Sequence, residues 1–165
     1  MVEVGDTAPD FTLKGVDDWR IDTFSLSDHT DDGEFVVLNF YVFDFSPVCT
    51  TQLCDLRDME TFEMIDDVAV WGIAPDGPYA HKAFVDEYDI PCPLLCDTAE
   101  EVAEAYDVLY EEYDGFERVP KRSLFLVDDQ RRVQFRWVAD DNWDDWSNTP
   151  LHEIKNRIDE LRTGL

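Results

Sequence analysis

The stretch that decides the fold runs from Val36 to Ala74, VVLNFYVFDFSPVCTTQLCDLRDMETFEMIDDVAVWGIA. It opens on an apolar, aromatic run, Val36 to Phe43, which reads as a buried strand. Ser46 and Pro47 follow, the one an N-cap residue and the other suited by its fixed φ to the first helical position. From Cys49, apolar residues recur at Leu53, Leu56, Met59 and Phe62, three or four positions apart, until Asp66-Asp67 interrupts them. An amphipathic helix of about five turns is expected there. Val68 to Ala74 is a second apolar run of strand length. A strand, a helix and a strand within this span imply a right-handed crossover between parallel neighbours.

Beyond that unit, Pro75-Asp76-Gly77-Pro78 makes a turn and a helix runs on to Tyr88. Pro91 to Cys96 reads as a short extended piece and Thr98 to Tyr106 as a helix, with Thr98 and Glu101 forming a capping box. Glu111 to Lys121, polar and carrying Gly115 and Pro120, reads as a surface loop. Ser123 to Val127 and Arg132 to Val138, separated by Asp128-Asp129-Gln130-Arg131, form a β-hairpin. An acidic loop and a C-terminal helix from about Pro150 to Arg162 close the chain. The order β-α-β, helices, β-β-α is the thioredoxin-like α/β arrangement, a central mixed β-sheet flanked by helices. With 165 residues, 44% of them hydrophobic, there is material for one core, so residues 1–165 are expected to form a single domain. Neither repeats nor low-complexity tracts interrupt it.

The chain carries 13 Lys and Arg against 39 Asp and Glu, a formal net charge of −26. Disordered chains with such a balance lack aromatic and β-branched residues, whereas VVLNFYVF, VAVWGIA and RSLFLV supply them here. The acidic residues are spread as pairs such as Asp17-Asp18, Asp66-Asp67 and Asp144-Asp145 and gather into no single tail, which reads as a solvated coat. A cytosol at molar salt, where the screening length falls to about 3 Å, tolerates that coat. A polyanion-mimicking binding protein is the competing explanation. The N-terminus MVEVGDTAPDF has no basic segment followed by an apolar one, and no apolar stretch is long enough to span a membrane. A cytoplasmic protein with no nucleic-acid or membrane partner is expected.

Four cysteines in a reducing compartment point to reactivity or metal binding rather than structural disulfides. Cys49 stands three residues after Ser46, so its sulfur lies near unpaired backbone N–H groups and the positive end of the helix dipole, both of which favour thiolate over thiol. A thiolate can attack an O–O bond; a buried, inert cysteine is the plainer alternative. A four-thiolate zinc site would be built from close pairs such as C-x₂-C, and the chain has none.

The segment FYVFDFSPVCTTQLCDLRD, residues 40–58, resembles the active-site segment of the peroxiredoxins, the alkyl hydroperoxide reductase and thiol-specific antioxidant family. Their usual pattern is Pro, three residues, Thr or Ser, two residues, Cys. Similarity continues through VGDTAPDFTL, GIAPDGPYAHKAF, PLLCDTAEEVAEAY and RSLFLVDDQRRVQFRWV, and is greatest to the bacterioferritin-comigratory and AhpE-like groups. One departure is Val42, standing where the family has the proline that helps shield its peroxidatic cysteine.

The resemblance implies a thiol-dependent peroxidase acting on hydrogen peroxide and organic hydroperoxides. Cys49 is then the nucleophile and Ser46 the hydroxyl that hydrogen-bonds the peroxide. Arg122 is the arginine that holds the thiolate and peroxide oxygens, with Arg118 its nearest rival. Gln52, where many relatives carry Glu, either orients Arg122 or is a plain surface amide. Cys54 stands at the spacing of the resolving cysteine in bacterioferritin-comigratory enzymes, a buried helix cysteine being the alternative. Five residues of helix rise about 7.5 Å while a disulfide needs its Cα atoms within about 7 Å, so the first helical turns must unwind for Cys49 and Cys54 to join. Cys92 and Cys96 answer to no family pattern and are read as packing residues. The resemblance further implies a thioredoxin-like protein reductant, a monomer or homodimer, and no metal, haem or flavin. Two rivals remain. A thiol–disulfide oxidoreductase would ordinarily carry C-x-x-C where this chain has C-x₄-C, and an acidic interaction module would have lost the active site.

Overall fold

In chain order the computed structural model comprises β1 (Thr12–Asp17), β2 (Arg20–Ser25), α1 (Leu26–Asp31), β3 (Phe35–Phe40), α2 (Pro47–Asp58), β4 (Val68–Ala74) and α3 (Pro78–Tyr88). β5 (Leu94–Cys96), α4 (Glu101–Ala105), β6 (Leu109–Tyr113), β7 (Phe116–Pro120), β8 (Ser123–Val127), β9 (Val133–Val138) and α5 (Thr149–Thr163) follow. The structure describes residues 2–58, 67–113, 115–139, 146–147 and 149–163.

Seven strands form one sheet in the order β2-β1-β5-β4-β3-β8-β9. β3 lies inside it, parallel to β4 and antiparallel to β8, so the strand–helix–strand unit and the later hairpin join in one mixed sheet. Side chains alternate across a strand, and the two faces of β3 feed two cores. Val37 and Tyr41 pack with Leu53 of α2, Phe84 of α3 and Leu151, Ile154 and Ile158 of α5. Val36, Leu38 and Phe40 pack with Leu26 of α1, Trp71 of β4, Val102 of α4 and Phe125 of β8. Burial on both faces is why β3 reads as an unbroken apolar run.

This pairing builds the site. Phe40, the last residue of β3, is registered against Ser123, the first of β8. The turn leaving β3 for α2 therefore meets the residue just before β8, which is Arg122. At the other side of the sheet, Gly15 lets β1 close on β5, since a Cβ there would lie 2.9 Å from the Leu94 carbonyl oxygen.

Four expectations need correction or a limit. The capping box at Thr98 and Glu101 does not form, because Glu100 takes a left-handed conformation at φ 58 and the helix begins after it. The carboxylate of Asp97 instead accepts the N–H groups of Val102 at 3.2 Å and Ala103 at 2.9 Å. Residues 111–121 are not a plain loop: β6 and β7 pair antiparallel around Gly115 at φ 84, and Pro120 is tolerated at the end of a two-stranded sheet. The extended piece at Pro91 to Cys96 narrows to β5. Met59 and Phe62, expected in the second half of the helix, lie outside the described residues.

Candidate active site

The turn from Tyr41 to Ser46 leads β3 into α2. The Ser46 carbonyl accepts the Thr50 N–H at 2.8 Å, which makes Ser46 the boundary residue of the helix. Its hydroxyl donates to the Phe43 carbonyl at 2.9 Å, leaving the oxygen lone pairs as what Ser46 can offer a peroxide O–H.

Cys49 is fully buried, and two donors reach its sulfur. Arg122 Nη1 lies 2.7 Å from Sγ and the Val42 N–H donates to it at 3.2 Å. A proline at position 42 has no N–H to give, so the departure from the family pattern supplies a donor. The same Arg122 Nη1 donates to Gln52 Oε1 at 3.0 Å, and Gln52 Nε2 donates to the Phe40 carbonyl at 3.2 Å and to Asn39 Oδ1. Gln52 is buried, so it is no surface amide. Arg122 is itself buried, and its own carbonyl accepts the Ala139 N–H at 2.9 Å. The rival Arg118 is half exposed on β7 and pairs with Glu104 at 3.3 Å and Glu100 at 3.6 Å.

The structure brings Cys49, Arg122 and Gln52 together. All four cysteines are free thiols. Cys54 lies half-buried further along α2, Cys92 is buried in the same core as Cys49, and Cys96 ends β5, half-buried.

Sequence reading missed a second polar cluster behind the turn. Tyr41 donates to Asp44 Oδ1 at 2.6 Å, the Asp44 N–H donates to Asp76 Oδ2 at 2.9 Å, and His81 Nδ1 lies 2.6 Å from Asp44 Oδ2. His81 Nε2 faces the Leu95 carbonyl at 3.0 Å. Ligand atoms of Asp44, Asp76 and His81 lie within 4.8 Å of one another, as a metal site would require. Both ring nitrogens of His81 face acceptors, however, so both carry protons and neither has a lone pair for a metal. The cluster is a buried imidazolium–carboxylate pair that pins the turn to α3 and β5. The signal was present in GIAPDGPYAHKAF, where Asp76 and His81 share one segment, but nothing in the sequence places Asp44 between them.

Burial works against the charged imidazole of His81, yet the hydrogen bonds to Asp44 and Cys96 and the charge of Asp44 outweigh it and push its pKa up to about 10. The ordinary value is 6.5, so the folded state holds the proton more tightly than the unfolded chain does. Its contribution to stability is then fully present below about pH 6.5 and is lost as the pH rises through about 10.

The AhpC/TSA family profile matches residues 4–136. The chain is 38% identical over 143 residues to Peroxiredoxin Bcp of Bacillus subtilis (strain 168), covering 82% of this chain and 85% of that protein. It is 37% identical over 134 residues to the chloroplastic Peroxiredoxin Q of Populus jackii, covering 81% of this chain and 59% of that protein. Among solved structures, the reduced 2-Cys peroxiredoxin of Plasmodium vivax superposes with a TM-score of 0.83 at 25% identity, over 97% of this chain and 82% of that one.

The His81 pair predicts a pH-dependent stability gap. Urea unfolding of wild type and His81→Asn should differ by about 3 kcal/mol or more at pH 6, the scale for leaving one partner of a buried pair alone. The gap should narrow as the pH approaches 10. A gap that stays constant over this range would show that His81 is not held as the imidazolium.

Proposed function

Because the chain belongs to the AhpC/TSA family and is a thiol-dependent peroxidase of the peroxiredoxin type, we propose that Cys49 is its peroxidatic nucleophile and Arg122 the group that stabilises the reacting oxygens. The observation that carries this reading is the 2.7 Å contact of a buried guanidinium with the Cys49 sulfur. The Cys49 thiolate attacks the terminal oxygen of a hydroperoxide. The S–O bond forms as the O–O bond breaks, two electrons pass from sulfur to oxygen, and the far oxygen departs as hydroxide or alkoxide, which takes a proton from solvent to become water or alcohol and leaves a sulfenic acid behind. Negative charge develops on the departing oxygen beside Arg122, whose fixed fork of donors suits it. Ser46 offers the peroxide a hydroxyl acceptor, and Gln52 holds Arg122 in place.

Cys54 then condenses with the sulfenic acid, expelling water and forming the Cys49–Cys54 disulfide. Both sulfurs belong to α2, which spans Pro47–Asp58, so its first turns unwind to let them meet. An external dithiol protein of thioredoxin type reopens the disulfide by exchange. The protein works as a monomer or homodimer in the cytosol of a salt-adapted cell. Support for that setting comes from the −26 charge and from the absence of any helix, among the described residues, long and apolar enough to cross a membrane.

The roles separate by mutation. Arg122→Ala should slow the reaction of reduced protein with peroxide by about 10²-fold or more, the usual scale for losing one preorganised donor. Cys54→Ser should react once at the wild-type rate and then stall, while Cys92→Ser combined with Cys96→Ser should turn over normally. Stopped-flow fluorescence and peptide mapping read all three. A double mutant that stalls after one turnover would move the resolving role to Cys92 or Cys96.

Salt should matter as well. The melting temperature should climb between about 0.1 M KCl, where screening reaches about 10 Å, and molar KCl, where it falls to about 3 Å. A melting temperature indifferent to KCl would contradict the salt-adapted setting.

A further inference from the structure

Gln52 stands between neighbours that leave its amide one orientation. Arginine only donates, so the atom of Gln52 facing Arg122 Nη1 at 3.0 Å must be the carbonyl oxygen Oε1. Nε2 then faces the Phe40 carbonyl at 3.2 Å, which only accepts, and Asn39 Oδ1. Turning the amide over would set donor against donor at one end and acceptor against acceptor at the other. The same logic reaches Asn39, which must give its oxygen to Gln52. Its Nδ2 is left buried and, among the described residues, without a partner.

An unmade hydrogen bond in a core is expensive, and a valine or leucine would occupy this place in β3 without that cost. The neighbours of Asn39 on its face of β3, Val37 and Tyr41, belong to an apolar core. Asn39 is fully buried there, and among the described residues its side chain bonds to Gln52. We infer that Asn39 is a positioning residue for the peroxidase reaction, locking the Gln52 amide so that its oxygen holds Arg122 against the Cys49 sulfur. The inference rests on the peroxidase reading and on the role of Arg122 within it. Asn39 touches no reacting atom; without it, one Nε2 proton loses its acceptor and the Phe40 carbonyl alone holds the Nε2 end of the amide.

The test is the rate at which the reduced, full-length protein reacts with hydrogen peroxide in a stopped-flow instrument, with folding checked by circular dichroism. Asn39→Leu, of similar size but without an acceptor, should slow the reaction by about 10-fold or more, since small displacements of a positioned group are costly. Asn39→Asp keeps an acceptor oxygen and should recover most of the rate. In a Gln52→Leu background, Asn39→Leu should add no further loss, because its effect passes through Gln52. Should Asn39→Leu fail to fold, Asn39→Ala is measured in its place with the same expectation. An unchanged rate, equal slowing in both backgrounds, or no recovery in Asn39→Asp would each overturn the role of Asn39 while leaving the peroxidase reading intact. A wild-type protein inert to peroxide would overturn the peroxidase reading itself, and this role with it.

Discussion

The structure around Cys49 depends on placing a guanidinium where water cannot reach it. Arg122 is 2% exposed, and a buried cation is tolerated only when its donors are met by well-aligned acceptors. Cys49 Sγ and Gln52 Oε1 meet one of its nitrogens, and the helix that carries them is distant in sequence from Arg122. The β3–β8 register brings Arg122 to the end of β3, and α2 carries both Cys49 and Gln52 to the same point. A peroxide entering this site meets donors that are already aimed, so little reorganisation is left for the moment of reaction.

A second buried pair secures the turn that connects those parts. Asp44 and His81 are almost wholly buried and join the β3–α2 turn to α3, while Tyr41 and Asp76 complete the cluster. Val42, within that turn, donates its N–H to the Cys49 sulfur at 3.2 Å. If the first turns of α2 unwind to form a disulfide, this pinned turn is the fixed end from which they move. The two clusters therefore divide the work, one holding the sulfur and the other holding the backbone beside it.

Much of this was legible in the sequence, for particular reasons. β3, β4 and the start of α2 are written in apolar runs and an Ser-Pro boundary, both local signals. Arg122 and Gln52 could be named only through the resemblance, because their meeting with Cys49 depends on strand register, which residue type does not encode. Asn39 left a readable trace, a lone amide inside VVLNFY, but its partner lies 13 positions away on a helix. The Asp44–His81 pair spans 37 positions and three elements. The Thr98 capping box failed where Glu100 turned left-handed and the Asp97 carboxylate took the Val102 and Ala103 N–H groups. The β6–β7 hairpin stayed hidden because its exposed, charged strands mimic a loop.

The sulfur held by Arg122 should be the first atom in the protein to be oxidised. Identifying that sulfur tests it most directly. Reduced wild-type protein would receive one equivalent of hydrogen peroxide in the presence of dimedone, with quenching after the first turnover and peptide mass spectrometry of all four cysteines. The dimedone adduct should form on Cys49 alone. An adduct appearing first on Cys54, Cys92 or Cys96 would contradict it.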